Sequence, residues 1–281
     1  MAVQRITDAF RRARRAGRPA LIAYLTAGYP TLGITQALVE ELGARGVDLI
    51  ELGIPFSDPL ADGPTIQRAS AEALRRGVTI RAILQMVRRL RRRDAVPLVA
   101  MSYANPLYRY GLTAFCRDAV AAGVDGVIVP DLPPEEAGEL LRAARPARLA
   151  TIFLAAPTSP PARLRRIAAC STGFIYCVSL TGVTGARRQL PRAVVTQVRV
   201  LKRLARVPVA VGFGVSRPEH VRWLGGVADG VVVGSAIVDA IARACQRLPL
   251  MEAGPRPSGQ RRDLVARVGA FVRPLVEATR R

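Results

Sequence analysis

A short apolar run bounded by Gly, Pro or Asp, a polar turn and an amphipathic helical stretch follow one another repeatedly along the 281 residues. Eight such runs can be counted: Ala20 to Thr26, Asp48 to Leu52, Pro97 to Ser102, Gly126 to Pro130, Leu149 to Leu154, Phe174 to Ser179, Pro208 to Gly212 and Gly230 to Gly234. Between them, spacings such as Ile80, Ile83, Leu84, Val87 and Leu90 put one apolar face on a helix and leave its arginines in water. Runs apolar on both sides, such as Val127, Ile128 and Val129, suit parallel strands covered by helices. Eight units without a long break in composition predict a closed (β/α)8 TIM barrel rather than an open doubly wound sheet.

Two helices extend the barrel. Gln4 to Arg18 is Arg-rich like a transit peptide, but Ile6, Ala9, Phe10 and Ala13 predict a short amphipathic N-terminal helix instead. The Pro- and Gly-containing stretch 249–260 reads as a linker, and Leu264, Val268, Phe271, Val272 and Leu275 then mark a C-terminal helix packed on the barrel exterior. The whole of 1–281 is expected to form one domain.

A balance of 42 Lys+Arg against 21 Asp+Glu gives a formal charge of +21, which alone would suggest nucleic acid or an anionic membrane. The excess is almost all arginine, with Lys202 the single lysine. It is spread over Arg11 to Arg15, Arg88 to Arg93, Arg163 to Arg166, Arg187 and Arg188. Solvated helix faces explain that spread better than one binding stripe, which argues against a nucleic-acid partner. Cys116, Cys170, Cys177 and Cys245 lack Cys-x-x-Cys spacing, and neither a signal peptide nor an apolar run of about 18 residues is found. A reducing cytoplasm without membrane attachment is the expectation.

In such a barrel the chemistry belongs at the carboxyl ends of the strands. Alternation along Asp48-Leu49-Ile50-Glu51-Leu52 turns Glu51 away from Ile50 and Leu52, toward the interior or its mouth. A buried carboxylate is costly unless paired or used. The following loop, Ile54 to Thr65, is stiffened by three prolines and carries Asp58 and Asp62 over the mouth. Glu51 and Asp62 thus form a candidate pair, one desolvated with a raised pKa and one more open and ionised. Residue types alone leave a second reading open, in which Asp62 caps a turn and Glu51 meets a buried arginine.

Glycines cluster after the last three strands, in Thr181-Gly182-Val183-Thr184-Gly185, Gly212-Phe213-Gly214-Val215-Ser216 and Gly234-Ser235 at the start of a helix. Backbone amides can approach an anion closely at such points, and a helix N-terminus favours negative charge, so a phosphate-bearing ligand is expected. The segment Thr181 to Gln189 is expected to close over it. His220, the one histidine, is placed at the exposed start of a helix, which leaves no Ser-His-Asp triad or multi-His metal site. Lys202, on a helix beside Arg203, is a poor Schiff-base nucleophile. Chemistry by carboxylates remains, with no metal.

The run from Glu51 through Asp58-Pro59-Leu60-Ala61-Asp62-Gly63-Pro64-Thr65-Ile66-Gln67 resembles the signature of the tryptophan synthase alpha subunit family. Tyr103-Ala104-Asn105-Pro106, Pro130-Asp131-Leu132-Pro133, Gly182 to Gly185, Gly212 to Ser216 and Gly234 to Val238 extend the likeness over the whole chain. The resemblance implies a lyase that cleaves indole-3-glycerol phosphate to indole and glyceraldehyde 3-phosphate without a cofactor of its own. It also implies a beta subunit partner, in an alpha2beta2 assembly, that carries pyridoxal phosphate and receives the indole. By resemblance, Glu51 is the general acid/base at indole C3 and Asp62 the carboxylate at the indole N–H. Gly185, Gly214, Gly234 and Ser235 match the phosphate cradle, and Tyr24, Met101, Ile128 and Tyr176 the walls of the indole pocket. Tyr24 stands where Phe is often seen in the family, adding a hydroxyl that needs a partner if buried.

A stand-alone indole-releasing lyase is an alternative within the same chemistry, decided by co-purification with a beta subunit, and two other readings have their own tests. A nucleic-acid-binding scaffold predicts strongly salt-dependent association, but gives no reason for two carboxylates and three glycine loops at one barrel mouth. A different phosphosugar enzyme, such as an isomerase, fits poorly with the Pro-rich loop that carries Asp62.

Overall fold

The computed structural model describes residues 2–92, 96–178, 192–212, 214–247 and 258–280. Its strands are β1 (Ala20–Thr26), β2 (Leu49–Gly53), β3 (Leu98–Met101), β4 (Gly126–Ile128), β5 (Ala150–Ala155), β6 (Ile175–Val178), β7 (Val209–Gly212) and β8 (Gly230–Val233). All run parallel, in sequence order, and β8 closes on β1 to complete a barrel. Around and below it lie α1 (Ala2–Arg15), α2 (Leu32–Ala44), α3 (Pro64–Arg75), α4 (Ile80–Arg91), α5 (Ala104–Tyr110) and α6 (Leu112–Ala122). They are followed by α7 (Gly138–Ala147), α8 (Pro161–Cys170), α9 (Arg192–Leu204), α10 (Pro218–Gly225), α11 (Ser235–Gln246) and α12 (Ser258–Glu277). Each predicted run lies within two residues of its strand at either end.

Alternation divides every strand between two cores. Leu21, Leu25, Ile50, Leu52, Val127 and Val211 face outward onto the helices, while Ile22, Leu49, Val99, Ile128, Ile152 and Val232 fill the interior. The N-terminal helix is a plug for the lower end. Ile6, Phe10 and Ala13 join the interior cluster, and the Phe10 ring meets Phe174 at 5.6 Å. At the other terminus, Leu264, Val268, Val272 and Leu275 are buried and α12 packs on α2, α10 and α11.

One device recurs four times at the lower rim. Asp48, Asp125 and Asp229 stand immediately before β2, β4 and β8, and Thr172 stands three residues before β6; each clasps the preceding strand twice. Asp48 donates its N–H to the Leu21 carbonyl at 2.9 Å and accepts the Leu21 N–H on its carboxylate at 2.8 Å. Asp125 does the same with Leu98 at 2.7 and 2.8 Å, and Asp229 with Val209 at 2.8 and 3.0 Å. Thr172 clasps Thr151 at 2.9 Å in both directions, its hydroxyl replacing the carboxylate.

These carboxylates recruit cations. Arg18 holds Asp48 through two bonds of 2.6 and 2.9 Å. Arg5 pairs with Asp125 at 2.6 Å, while Arg14 and Lys202 reach Asp229 at 3.6 and 3.0 Å. Arg91 corrects the expectation of a wholly solvated run at Arg88 to Arg93. Its side chain is only 14% exposed, pairs with the fully buried Asp125 carboxylate and donates to the Gly123 and Val96 carbonyls at 2.7 and 3.0 Å. Further basic residues occupy the last turns of α4, α7, α9, α10 and α11, where cations complement the helix dipole. His220 is a second correction: it is buried, not exposed. It lies on the inner side of α10, accepts the Ser216 N–H on Nδ1 at 3.3 Å and faces Trp223. No helix among the described residues is long and apolar enough to cross a membrane.

Candidate active site

A cavity of about 140 Å³ opens at the carboxyl end of the barrel, and every strand or the loop after it contributes to its wall. Tyr24, Glu51 and Met101 come from β1, β2 and β3; Pro130 follows β4; Leu154 and Tyr176 come from β5 and β6. Gly214 follows β7, while Gly234 and Ser235 join β8 to α11. Ala61, Asp62, Gly63 and Ile66 reach over from the loop after β2 and the first turn of α3.

Glu51 is 1% exposed, and its Oε1 has no hydrogen-bond partner among the described residues. Among the described residues no arginine or lysine forms an ion pair with it, so desolvation acts on it unopposed there. Burial without compensation disfavours the charged form and pushes the carboxyl up to about 8. At neutral pH it is therefore mainly an acid with a proton to give.

Asp62 differs. Burial raises its pKa to about 6, and the Tyr103 hydroxyl, which bonds the carboxylate, opposes that rise. The group remains mostly ionised near neutrality. Tyr103 also accepts the Ala61 N–H at 2.9 Å, and its ring packs on Phe56 at 5.3 Å. One side chain thus fixes both the loop and the carboxylate on it.

Tyr24 and Tyr176 are buried, and desolvation raises both phenols well above their ordinary range. Each also feels the charges of Glu51 and Asp62, which ties the two carboxylates to one small volume. Tyr176 lies across Gly212, where a Cβ would overlap its hydroxyl. Gly214, also on the cavity wall, has φ +71°, a conformation that favours glycine. Gly234 leads into α11 with no side-chain cap; its carbonyl accepts the Ile237 and Val238 N–H groups, and the Ser235 and Ala236 amides ahead of them have no carbonyl within the helix to reach. An anion fits there by the same physics that makes helix N-termini bind phosphate.

The chain has known relatives. Residues 10–254 match the family model described as tryptophan synthase alpha chain. A tryptophan synthase alpha chain of Chloroflexus aggregans is 47% identical over 280 residues, covering 99% of both chains. One from Dehalococcoides mccartyi is 50% identical over 239 residues, covering 85% of this chain and 92% of its own. The chain belongs to the tryptophan synthase alpha chain family. Its activity is accordingly that of a carbon–carbon lyase acting on indole-3-glycerol phosphate in tryptophan biosynthesis, and membership implies partnership with a beta subunit. Solved structures agree. The tryptophan synthase alpha subunit of Legionella pneumophila superposes with a TM-score of 0.86 at 34% identity, covering 98% of each chain. A tryptophan synthase structure from Mycobacterium tuberculosis gives 0.85 at 39% identity, again covering 98% of each.

Within this alpha chain the cavity brings together Tyr24, Glu51, Asp62, Met101, Tyr176, Gly214, Gly234 and Ser235. Ile128 is fully buried in the barrel interior, away from the cavity wall. Gly185, and with it the expected lid Thr181 to Gln189, lies outside the described residues. Sequence reasoning missed Leu154, Ile66 and Tyr103 as site residues. Leu154 could have been found, because it stands two residues beyond inward-facing Ile152 on the same strand.

Proposed function

We propose that Glu51 and Asp62 divide the lyase reaction between them. The flat indole ring lies among Tyr24, Met101, Leu154 and Tyr176, and the phosphate meets backbone amides at Gly214, Gly234 and Ser235, with Gly185 completing the cradle. Ile128 supports this wall from below. Protonated Glu51 gives its proton to indole C3, which breaks the ring's aromaticity and leaves a cationic indolenine. Ionised Asp62 accepts the ring N–H and stabilises that charge. The bond from C3 to the glycerol chain then breaks, and its electron pair restores the indole. The adjacent hydroxyl loses its proton to the Glu51 carboxylate and becomes the aldehyde of glyceraldehyde 3-phosphate. General acid–base catalysis of this kind needs no group beyond the side chains named.

The observation that carries this reading is one cavity holding two carboxyl groups, pushed to about 8 and about 6 by unequal burial and hydrogen bonding. Asp62→Asn tests it. A neutral amide cannot stabilise the indolenine equally, so release of glyceraldehyde 3-phosphate should fall by about 10². An unchanged rate would remove Asp62 from its role.

In this reading 1–281 works as one domain in the cytoplasm, and pyridoxal phosphate belongs to the beta subunit of an alpha2beta2 assembly. Leu60, 94% exposed two residues before Asp62, and Tyr108, 45% exposed on α5, offer apolar anchors beside the mouth for that subunit. Leu60→Asp should weaken association with the beta subunit by roughly tenfold, measured by titration of one subunit with the other.

A further inference from the structure

Gly53 ends β2 on the inward face, two residues beyond Glu51 and in register with Thr26. Its φ lies outside the left-handed region and its place in the ladder is regular, so the backbone makes no demand for glycine there. Space does. A Cβ at Gly53 would overlap the Tyr24 hydroxyl and stand 2.5 Å from Cζ and 2.8 Å from Cε2 of the same ring. Tyr24 itself is in register with Glu51, so its ring crosses diagonally to rest on the end of the neighbouring strand.

The ring has little freedom to withdraw. It packs with Ala69 and Val238 in one buried cluster. The open direction is the cavity, which the ring lines together with Ile66 and Met101. A side chain at position 53 would therefore drive Tyr24 into the space a bicyclic ring must fill.

We propose that Gly53 is a specificity-determining residue, which keeps the aromatic half of the cavity open by letting Tyr24 lie flat on the end of β2. The inference rests on reading the cavity as the site for an indole ring with an anchored phosphate tail. Gly234, among the amides read as the tail site, lies by the Cβ end of Tyr24 and the overlap lies at its hydroxyl end, so a fault at Gly53 falls on ring binding.

Calorimetric titration with indole and, separately, with glycerol 3-phosphate distinguishes the two halves. Gly53→Ala should weaken indole binding by roughly tenfold or more while leaving glycerol 3-phosphate within about twofold, the scale expected for one misplaced carbon in an apolar pocket. Tyr24→Leu combined with Gly53→Ala removes all three overlapping ring atoms and should recover most of the indole affinity lost by Gly53→Ala. Equal loss of both ligands would reduce Gly53 to a structural role and overturn the proposal, as would unchanged indole binding or a double variant that recovers nothing. If the native chain binds neither ligand, the reading of the cavity fails first and this inference falls with it.

Discussion

Glu51→Gln is expected to lower turnover of indole-3-glycerol phosphate by roughly 10² to 10⁴, the range for loss of a positioned general acid. The amide keeps the size and the apolar contacts of a side chain that is 1% exposed, so the fold should survive. What disappears is the proton donor whose pKa, about 8, lets it hold a proton at neutral pH yet release it to a weakly basic ring carbon. The native pH profile gives an independent check. Activity requires Asp62 ionised and Glu51 protonated, so kcat/KM should rise through about 6 and fall through about 8. The alkaline limb should vanish from whatever residual rate Glu51→Gln retains.

The same substitution should stabilise the protein. Folding raises the Glu51 pKa from 4.5 to about 8. Below the unfolded value both states hold the proton and Glu51 makes no difference. As pH rises the unfolded state loses its proton first, and the folded state is penalised until its own carboxyl ionises near 8. Glu51→Gln removes that penalty, so its gain in melting temperature should be larger at pH 9 than at pH 4. A gain independent of pH would contradict the desolvation account.

Asp125→Ala is expected to cost about 3–5 kcal/mol in denaturant unfolding, the scale for breaking a buried ion pair from one side. The carboxylate is fully buried between Arg91 and Arg5 and accepts the Leu98 N–H. Truncation leaves the largely buried Arg91 guanidinium without its counter-charge and the Leu98 N–H without its carboxylate acceptor, and burial then penalises both. Asp125→Asn retains an acceptor for Leu98 and should lose less. Equal losses in the two variants would assign the effect to charge alone.

The barrel was legible because both of its periodicities are written in residue type. Alternation marks strands, helical spacing marks their covers, and one parity on β2 turns Glu51 inward. Height within the barrel is not written that way. Ile128 and Leu154 share inward parity, but Ile128 stands level with buried Ile152, and Leu154 lies one inward step higher, on the cavity wall. Strand tilt and stagger set that level, and they emerge only when all eight strands close. Tyr103 was obscure for a different reason: its hydroxyl reaches the Ala61 N–H across 42 positions of sequence. His220 was misplaced because helix α10 turns its third residue inward onto Ser216, a rotation that Pro218 at the helix start does not reveal.

The paired clasps at the lower rim give the chain natural places to be cut. Each joins an odd strand to the even strand that follows it, Leu21 to Asp48, Leu98 to Asp125, Thr151 to Thr172 and Val209 to Asp229. Two fragments divided between β2 and β3 keep every clasp within one piece, whereas division between β1 and β2 separates Asp48 from its strand. Reassembly from separately made halves should therefore succeed at the first break and falter at the second.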